Sequence, residues 1–279
     1  MSAVAELRAR CRELLAGGRT DIVLGYRAGH RPGTAVPAFI TRPDDCDRLT
    51  LDADCRQNLA AWLPGLRRQG RVTVIATGPT SRSIVNLLKE NQFDREKLHI
   101  IGVSDPAESA SGVADAVLFD EFVGTPAGTQ SVGDRAAATA PAGDPAQAEF
   151  ESRSPAERWE FLAAELGRCI RCYACRQVCP NCYCPTCFVD ADRPQWVGRT
   201  PDLSDNIIFH LVRAMHMAGR CVECGACARA CPMGIDLMLI NRKVAAIVRE
   251  RFGHVSGMSL DDPLPLATFK PEDGQEFIR

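Results

Sequence analysis

The chain has 279 residues, of which 46% are hydrophobic and 24% are charged, and its net charge is −2 at pH 7. This length allows one large domain or two ordinary ones. The nearly neutral charge gives no basic face for nucleic acid, and no uninterrupted apolar run reaches the roughly 18 residues needed to cross a bilayer.

The first part of the chain predicts an α/β domain. Residues 2–16 carry apolar side chains on one helical stripe and predict an amphipathic surface helix. Up to about residue 123, short apolar runs then alternate with helical patterns, which is typical of a mostly parallel sheet with helices. The predicted strands are 22–25, 36–40, 72–76, 99–103 and 116–119, and the predicted helices are 56–68 and 83–91.

The junction after the predicted strand 72–76 is a candidate phosphate site. Backbone amides at a helix start beside an arginine can hold a phosphate of a nucleotide or flavin. The string matches neither GxGxxG nor the P-loop, and helix capping is the alternative. The candidate cofactor-binding residues are Gly78, Thr80, Ser81 and Arg82.

Helical patterns return in the C-terminal part. Ser154, Pro155 and Glu157 predict a capped helix start. A helix over 204–218 carries an apolar stripe, and Asp236 can cap another helix. We expect the three tryptophans to lie in the core. The stripe consists of Ile208, Leu211, Val212 and Met215, and the tryptophans are Trp62, Trp159 and Trp196.

Two copies of one cysteine pattern surround the predicted middle helix. Each has the form Cys-x2-Cys-x2-Cys-x3-Cys-Pro, which is typical of a ferredoxin with two 4Fe–4S clusters. In such modules three cysteines of one run and the fourth of the other bind each cluster. The predicted ligands are Cys169, Cys172, Cys175 and Cys231 for the first cluster, and Cys221, Cys224, Cys227 and Cys179 for the second.

These motifs divide the chain into four parts. We predict an α/β domain over 1–123, a linker or insertion over 124–153, an α-helical dicluster ferredoxin domain over 154–253, and a tail over 254–279. The tail is either flexible or an arm that orders on a partner subunit. Because the cysteines stand in metal spacings and no secretory signal opens the sequence, we expect a cytoplasmic protein.

Clusters with four thiolates leave no coordination position for a substrate, so the motif predicts electron transfer and no catalytic residue. Nearby arginines either offset the negative clusters or are solvated. His210 and His216 are expected to be packing or surface residues rather than ligands, although His216 is close enough in sequence to Cys221 to tune that cluster. The arginines are Arg168, Arg171, Arg176, Arg220 and Arg229.

Three further cysteines exceed what two clusters require. Cys182, Cys184 and Cys187 are candidate ligands of a third cluster, with Cys55 as the first candidate for a fourth ligand and Cys46 as the second. The alternative is that these thiols are small buried hydrophobes, as we expect for Cys11. We therefore predict about eight irons per chain, or near twelve with a third cluster.

Two segments resemble a known family. The first segment resembles the beta subunit of deazaflavin (coenzyme F420) hydrogenases and formate dehydrogenases. It reads VIATGPTSRSIVNLLKENQ and is preceded by DADCRQNLAAWLP. The second segment resembles the iron–sulfur half of bacterial members of this family. It reads CIRCYACRQVCPNCYCPTCFVD and is followed by HMAGRCVECGACARACPMGIDL. The second segment also resembles the helical ferredoxin module found in the C-type polypeptide of heterodisulfide reductase.

The resemblance implies an electron-transfer subunit in an anaerobic oxidoreductase complex. Its partners would be a flavin subunit of the heterodisulfide-reductase-A type and a formate dehydrogenase or hydrogenase subunit. The alternative is an enzyme with FAD on the α/β domain that exchanges hydride with a deazaflavin or NAD(P). A scaffold whose clusters are purely structural is a third hypothesis.

Overall fold

A mixed sheet organises the N-terminal half of the computed structural model, which describes residues 2–104, 118–124 and 145–265. Its order is β2-β1-β4-β5-β6, and β3 also pairs with β1. The pairs β1–β4, β4–β5 and β5–β6 are parallel, whereas β2 and β3 lie antiparallel to β1. The strands are β1 (Ile22–Ala28), β2 (Ala35–Ile40), β3 (Leu49–Thr50), β4 (Val72–Ala76), β5 (Leu98–Val103) and β6 (Glu121–Val123).

The central strand explains why the sheet is parallel there. All five residues of β4 are buried, as expected of a strand covered on both faces. Helix α1 (Ala3–Ala16) contributes Leu7, Cys11 and Leu14 to the core, and the next long helix, α3 (Gly78–Lys89), follows β4 directly. The predicted α/β region is therefore confirmed, with an antiparallel edge added to the parallel strands.

Two predicted elements of this half were inaccurate. Residues 56–68 do not form one helix, because only a 3-10 turn at Leu59–Trp62 and a single α-turn, α2 (Leu63–Leu66), are present. Pro64 and Gly65 weaken helix continuation there. Of the predicted strand 116–119, residues 116 and 117 lie outside the described ranges, and the described strand begins later, at Glu121.

The described C-terminal half is helical. Ser154 and Glu157 form the predicted capping box, and the final long helix ends at Gly253 in the left-handed conformation. Its start differs from the prediction, since Leu237 is the capping position and Asp236 accepts the Met238 amide at 2.9 Å. The helices are α4 (Pro145–Ser152), α5 (Pro155–Gly167), α6 (Ala174–Gln177), α7 (Leu203–His216), α8 (Ala226–Arg229) and α9 (Met238–Phe252).

The apolar stripe predicted for α7 faces the wrong way. Ile208, Leu211 and Met215 are 43%, 47% and 61% exposed, whereas the buried face carries Asn206, Phe209, His210, Arg213 and Ala214. The three tryptophans are likewise exposed and do not belong to the core. The buried face of α7 is therefore largely polar, which requires polar or charged partners inside the module.

Direct hydrogen bonds join the two halves. The Arg82 guanidinium donates to the Ser256 carbonyl at 2.9 and 3.1 Å. Asn86 donates to the Arg220 carbonyl at 2.9 Å and to the Ser256 hydroxyl at 2.8 Å, and Glu90 pairs with Arg220. Helix α3 thereby fixes the segment before the second cysteine run and the segment after α9.

The predicted domain boundaries stay predictions. Helix α4 lies inside the proposed linker 124–153, and its Glu151 pairs with Lys243 on α9 at 3.1 Å. Residues 125–144 of that linker and 266–279 of the proposed tail lie outside the described ranges. Within the ranges that are described, no helix combines the length and apolar character needed to traverse a bilayer.

Candidate metal centre

The two cysteine loops adopt the same backbone path. The second and fourth residues after the first cysteine have positive φ in both loops: Arg171 and Tyr173 in the first, Glu223 and Gly225 in the second. A short helix follows each, α6 or α8, and these two helices pack together. Three of the four positions are not glycine, and such backbone strain is typical of functional loops.

This loop conformation directs backbone amides at the thiols. The Arg171 amide lies 3.4 Å from the Cys169 sulfur. In the second loop the Glu223 and Ala226 amides donate to Cys221 and Cys224. Hydrogen bonds to cysteine sulfur stabilise thiolates and are one of the features that set cluster potentials.

The fourth cysteine of each run lies beside the other run. Cys179 lines one small cavity together with Cys221, Cys224 and Cys227. The thiol of Cys231 is an electrostatic neighbour of Cys169, which also interacts with Cys172 and Cys175. The structure thus brings together the members of both predicted ligand sets, although the assignment of each ligand stays a prediction.

Among the described residues, no three His, Cys, Asp or Glu side chains are grouped so that they could hold one metal ion. A cube instead spreads four thiolates over separate corner irons. Burial raises the pKa of Cys175 and of Cys227 to about 11, while the neighbouring Arg213 cation favours their ionised forms.

Comparison with known proteins agrees with this geometry. A family model described as a 4Fe-4S dicluster domain matches residues 168–236. The chain contains a 4Fe–4S dicluster domain. The match starts just before Cys169 and includes both cysteine runs and helix α7.

Two curated relatives confirm the family resemblance. The F420-dependent formate dehydrogenase subunit beta of Methanocaldococcus jannaschii is 37% identical over 109 residues, which is 39% of this chain and 27% of the relative. The F420-dependent formate dehydrogenase 1 subunit beta of Methanococcus maripaludis is 40% identical over 111 residues, 40% of this chain and 27% of the relative. The aligned stretch thus spans about a quarter of each relative.

Arg213 lies at the centre of the dicluster domain, and the sequence analysis missed it. It is 6% exposed and donates to the Cys175 carbonyl at 3.1 Å. Burial opposes its charge, yet the neighbouring thiols Cys179, Cys182, Cys227 and Cys175 raise its pKa overall. The Arg213 cation therefore interacts with thiols of both predicted ligand sets. The available signal was the spacing of Asn206, His210 and Arg213 along one face of α7.

The histidine next to a predicted ligand is His210. Its Nε2 lies 3.3 Å from the Cys169 sulfur, and burial lowers its pKa to about 4, so the ring is neutral near pH 7. His216 lines a cavity and packs edge-on against Phe188. The histidine that approaches a predicted ligand is therefore His210, which is distant from Cys169 in sequence.

The candidate phosphate residues are occupied by contacts within the chain. Thr80, Ser81 and Arg82 are buried, and Gly78 is partly buried. The Ser81 hydroxyl donates to the Leu118 carbonyl at 3.0 Å and accepts the Leu118 amide at 2.9 Å. Phosphate binding stays a prediction, and this burial does not support it.

Arg82 and Asn58 bring the α/β region to the second cysteine loop. The Arg82 guanidinium interacts with Glu223, Cys221 and Cys224, and the Asn58 side chain hydrogen-bonds Cys224. The close approach also requires a glycine, because a Cβ on Gly257 would lie 2.3 Å from the Arg82 carbonyl oxygen. The environment of the second loop is therefore shared between both halves of the chain.

The three extra cysteines lie around one cavity of about 470 Å³. Its lining includes Cys182, Cys184, Cys187, Arg176, Arg213, Arg220 and His216. The two candidates for a fourth ligand are not part of this lining. Cys55 is buried and accepts the Asp52 amide at 3.4 Å, and Cys46 is buried beside Cys11. The third-cluster hypothesis stays a prediction.

Proposed function

We propose that the chain is an iron–sulfur electron-transfer subunit with two 4Fe–4S clusters. The supporting observation is that the fourth cysteine of each run lies beside the other run. Cys179 shares a cavity with the second run, and Cys231 neighbours Cys169 of the first. This reciprocal arrangement is typical of two-cluster ferredoxins.

Bound clusters of this kind supply single-electron transfer. The predicted cysteine ligands would hold the two clusters, and four thiolates at each would leave no coordination position for a substrate. Arg213 provides positive charge between the two sets, which favours electron uptake at both. We infer no catalytic residue in this module.

The two predicted cluster sites differ in solvent exposure, and this difference suggests which site faces a partner and which faces the α/β region. Cys172 of the first set is exposed. The second set is covered by Arg82 and Asn58 from the α/β region. We propose that a partner exchanges electrons at the first site, and that the α/β region meets the second.

We propose further that the subunit works in a multi-subunit oxidoreductase, between a flavin subunit and a formate, hydrogen or disulfide site. The support is that the two curated relatives are named as formate dehydrogenase beta subunits. Proteins that co-purify with the full chain identify the complex.

The test is metal analysis of anaerobically prepared chain. We expect about eight irons and eight acid-labile sulfides per chain, with visible absorbance that bleaches on dithionite addition. Cys169→Ala and Cys221→Ala should each remove about half of the iron. Colourless protein, or zinc in place of iron, would contradict the proposal. A flavin that survives gel filtration would favour the enzymatic alternative.

A further inference from the structure

The turn after each cysteine run is closed by the same backbone hydrogen bond in both runs. The Cys182 amide donates to the Cys179 carbonyl at 3.1 Å, and the Gly234 amide donates to the Cys231 carbonyl at 3.1 Å. In both runs this is the third residue after the fourth cysteine. The first turn therefore places a second thiol beside its cluster ligand, whereas the second turn has no side chain there.

The two thiols of the first turn are immediate neighbours. The Cys179 and Cys182 side chains interact with each other, and Cys182 also interacts with the Arg213 guanidinium. Because Arg213 interacts with both, it can stabilise a negative charge on either sulfur.

The surrounding cavities place the pair on two sides of a thin wall. Cys179 lines the small cavity of the second set, and Cys182 lines the adjoining cavity of about 470 Å³. Three side chains line both cavities and so form the wall: Asn181, Arg213 and Met217. Asn181 is held by a hydrogen bond to the Arg220 carbonyl at 2.7 Å, which fixes the turn between the two cysteines.

We propose that Cys182 is a second ligand for the iron assigned to Cys179. The inference rests on the proposed function, since it assumes that Cys179 completes the second cluster. In the exchange, the Cys179–iron bond breaks and a Cys182–iron bond forms, while the proton of the Cys182 thiol passes to the released Cys179 thiolate. No electron is gained or lost.

The repeat supplies its own control. Cys179→Ala should keep about eight irons per chain, because Cys182 replaces the lost ligand. Cys231→Ala should keep only about four, because Gly234 offers no thiol, and Cys179→Ala/Cys182→Ala should also keep about four. A fall to about four irons in Cys179→Ala alone overturns the proposal.

Alkylation of intact protein provides a second readout. Iodoacetamide should modify Cys182 in the wild-type holoprotein and fail to modify it in Cys179→Ala, as measured by peptide mass spectrometry. Equal modification in both contradicts the exchange. A wild-type chain with about twelve irons and a protected Cys182 also overturns it, because the thiol would then belong to a third cluster.

Iron loss to a chelator tests the exchange without altering Cys179. Cys182→Ala should release half of its iron faster than wild type, and equal rates argue against a second ligand. Failure of the proposed function looks different in these assays. In that case the wild-type chain lacks iron, or Cys221→Ala retains all of it, whatever residue occupies position 182.

Discussion

Replacing His210 with phenylalanine should lower the reduction potential of the first cluster alone. The imidazole Nε2 lies 3.3 Å from the Cys169 sulfur, and the ring is neutral, so one protonated nitrogen can donate to the thiolate. Such a bond stabilises the reduced cluster more than the oxidised one, because reduction adds negative charge to the sulfurs. Phenylalanine keeps a ring against Phe209 and removes the donor.

The size of the shift follows from the strength of one hydrogen bond to a charged group. Such bonds contribute about 1.5–3 kcal/mol, and we take about 1–2 kcal/mol as the part that differs between the two redox states. A one-electron couple moves by about 59 mV for each 1.4 kcal/mol, so the first cluster should shift by about −40 to −80 mV.

The assay is a redox titration followed by electron paramagnetic resonance, in which the two clusters give separate waves. His216→Phe is the matched control, since it changes a histidine on the same helix that packs against Phe188. We expect both potentials of the control to match wild type. Equal displacement of both waves in His210→Phe, or of neither, refutes the assignment of His210 to the first cluster.

Three further variants test other parts of the structure. Arg213→Gln should lower both potentials, on the order of 100 mV, because a buried charge shared by both thiol sets is lost; the same titration measures this. Ser154→Ala removes the capping box and should lower the free energy of unfolding by about 1 kcal/mol in a urea titration. Gly257→Ala should destabilise by about 1–3 kcal/mol in the same titration, since its Cβ would clash with the Arg82 carbonyl oxygen at a positive φ. A wild-type midpoint for Gly257→Ala would show that the two halves do not approach this closely.

Local signals predicted several elements correctly. The strand over residues 72–76 matches β4 residue for residue, because a short apolar run bounded by polar residues leaves few alternatives. The capping box at Ser154 is likewise determined by neighbours three residues apart. The spacing of the cysteine runs also predicts which fourth cysteine belongs to which cluster, and the structure places these cysteines near each other while the ligand assignment stays a prediction.

Contacts between distant segments could not be predicted in this way. The contact of Arg82 with Ser256 joins residues 174 positions apart, and no local pattern encodes it. The orientation of α7 failed for a different reason. Hydrophobic periodicity assumes that the apolar stripe is buried, whereas here His210 and Arg213 face inward because cysteine sulfur occupies the interior.

The inverted helix α7 has a consequence for how the C-terminal module acquires its shape. Without iron, the buried face of α7 offers little apolar surface for packing. The leucine and isoleucine side chains on its other face are exposed to water. We therefore expect the folding of this half to depend on the binding of iron and inorganic sulfide. Chain synthesised under iron starvation should yield a folded sheet attached to a collapsed, protease-sensitive remainder.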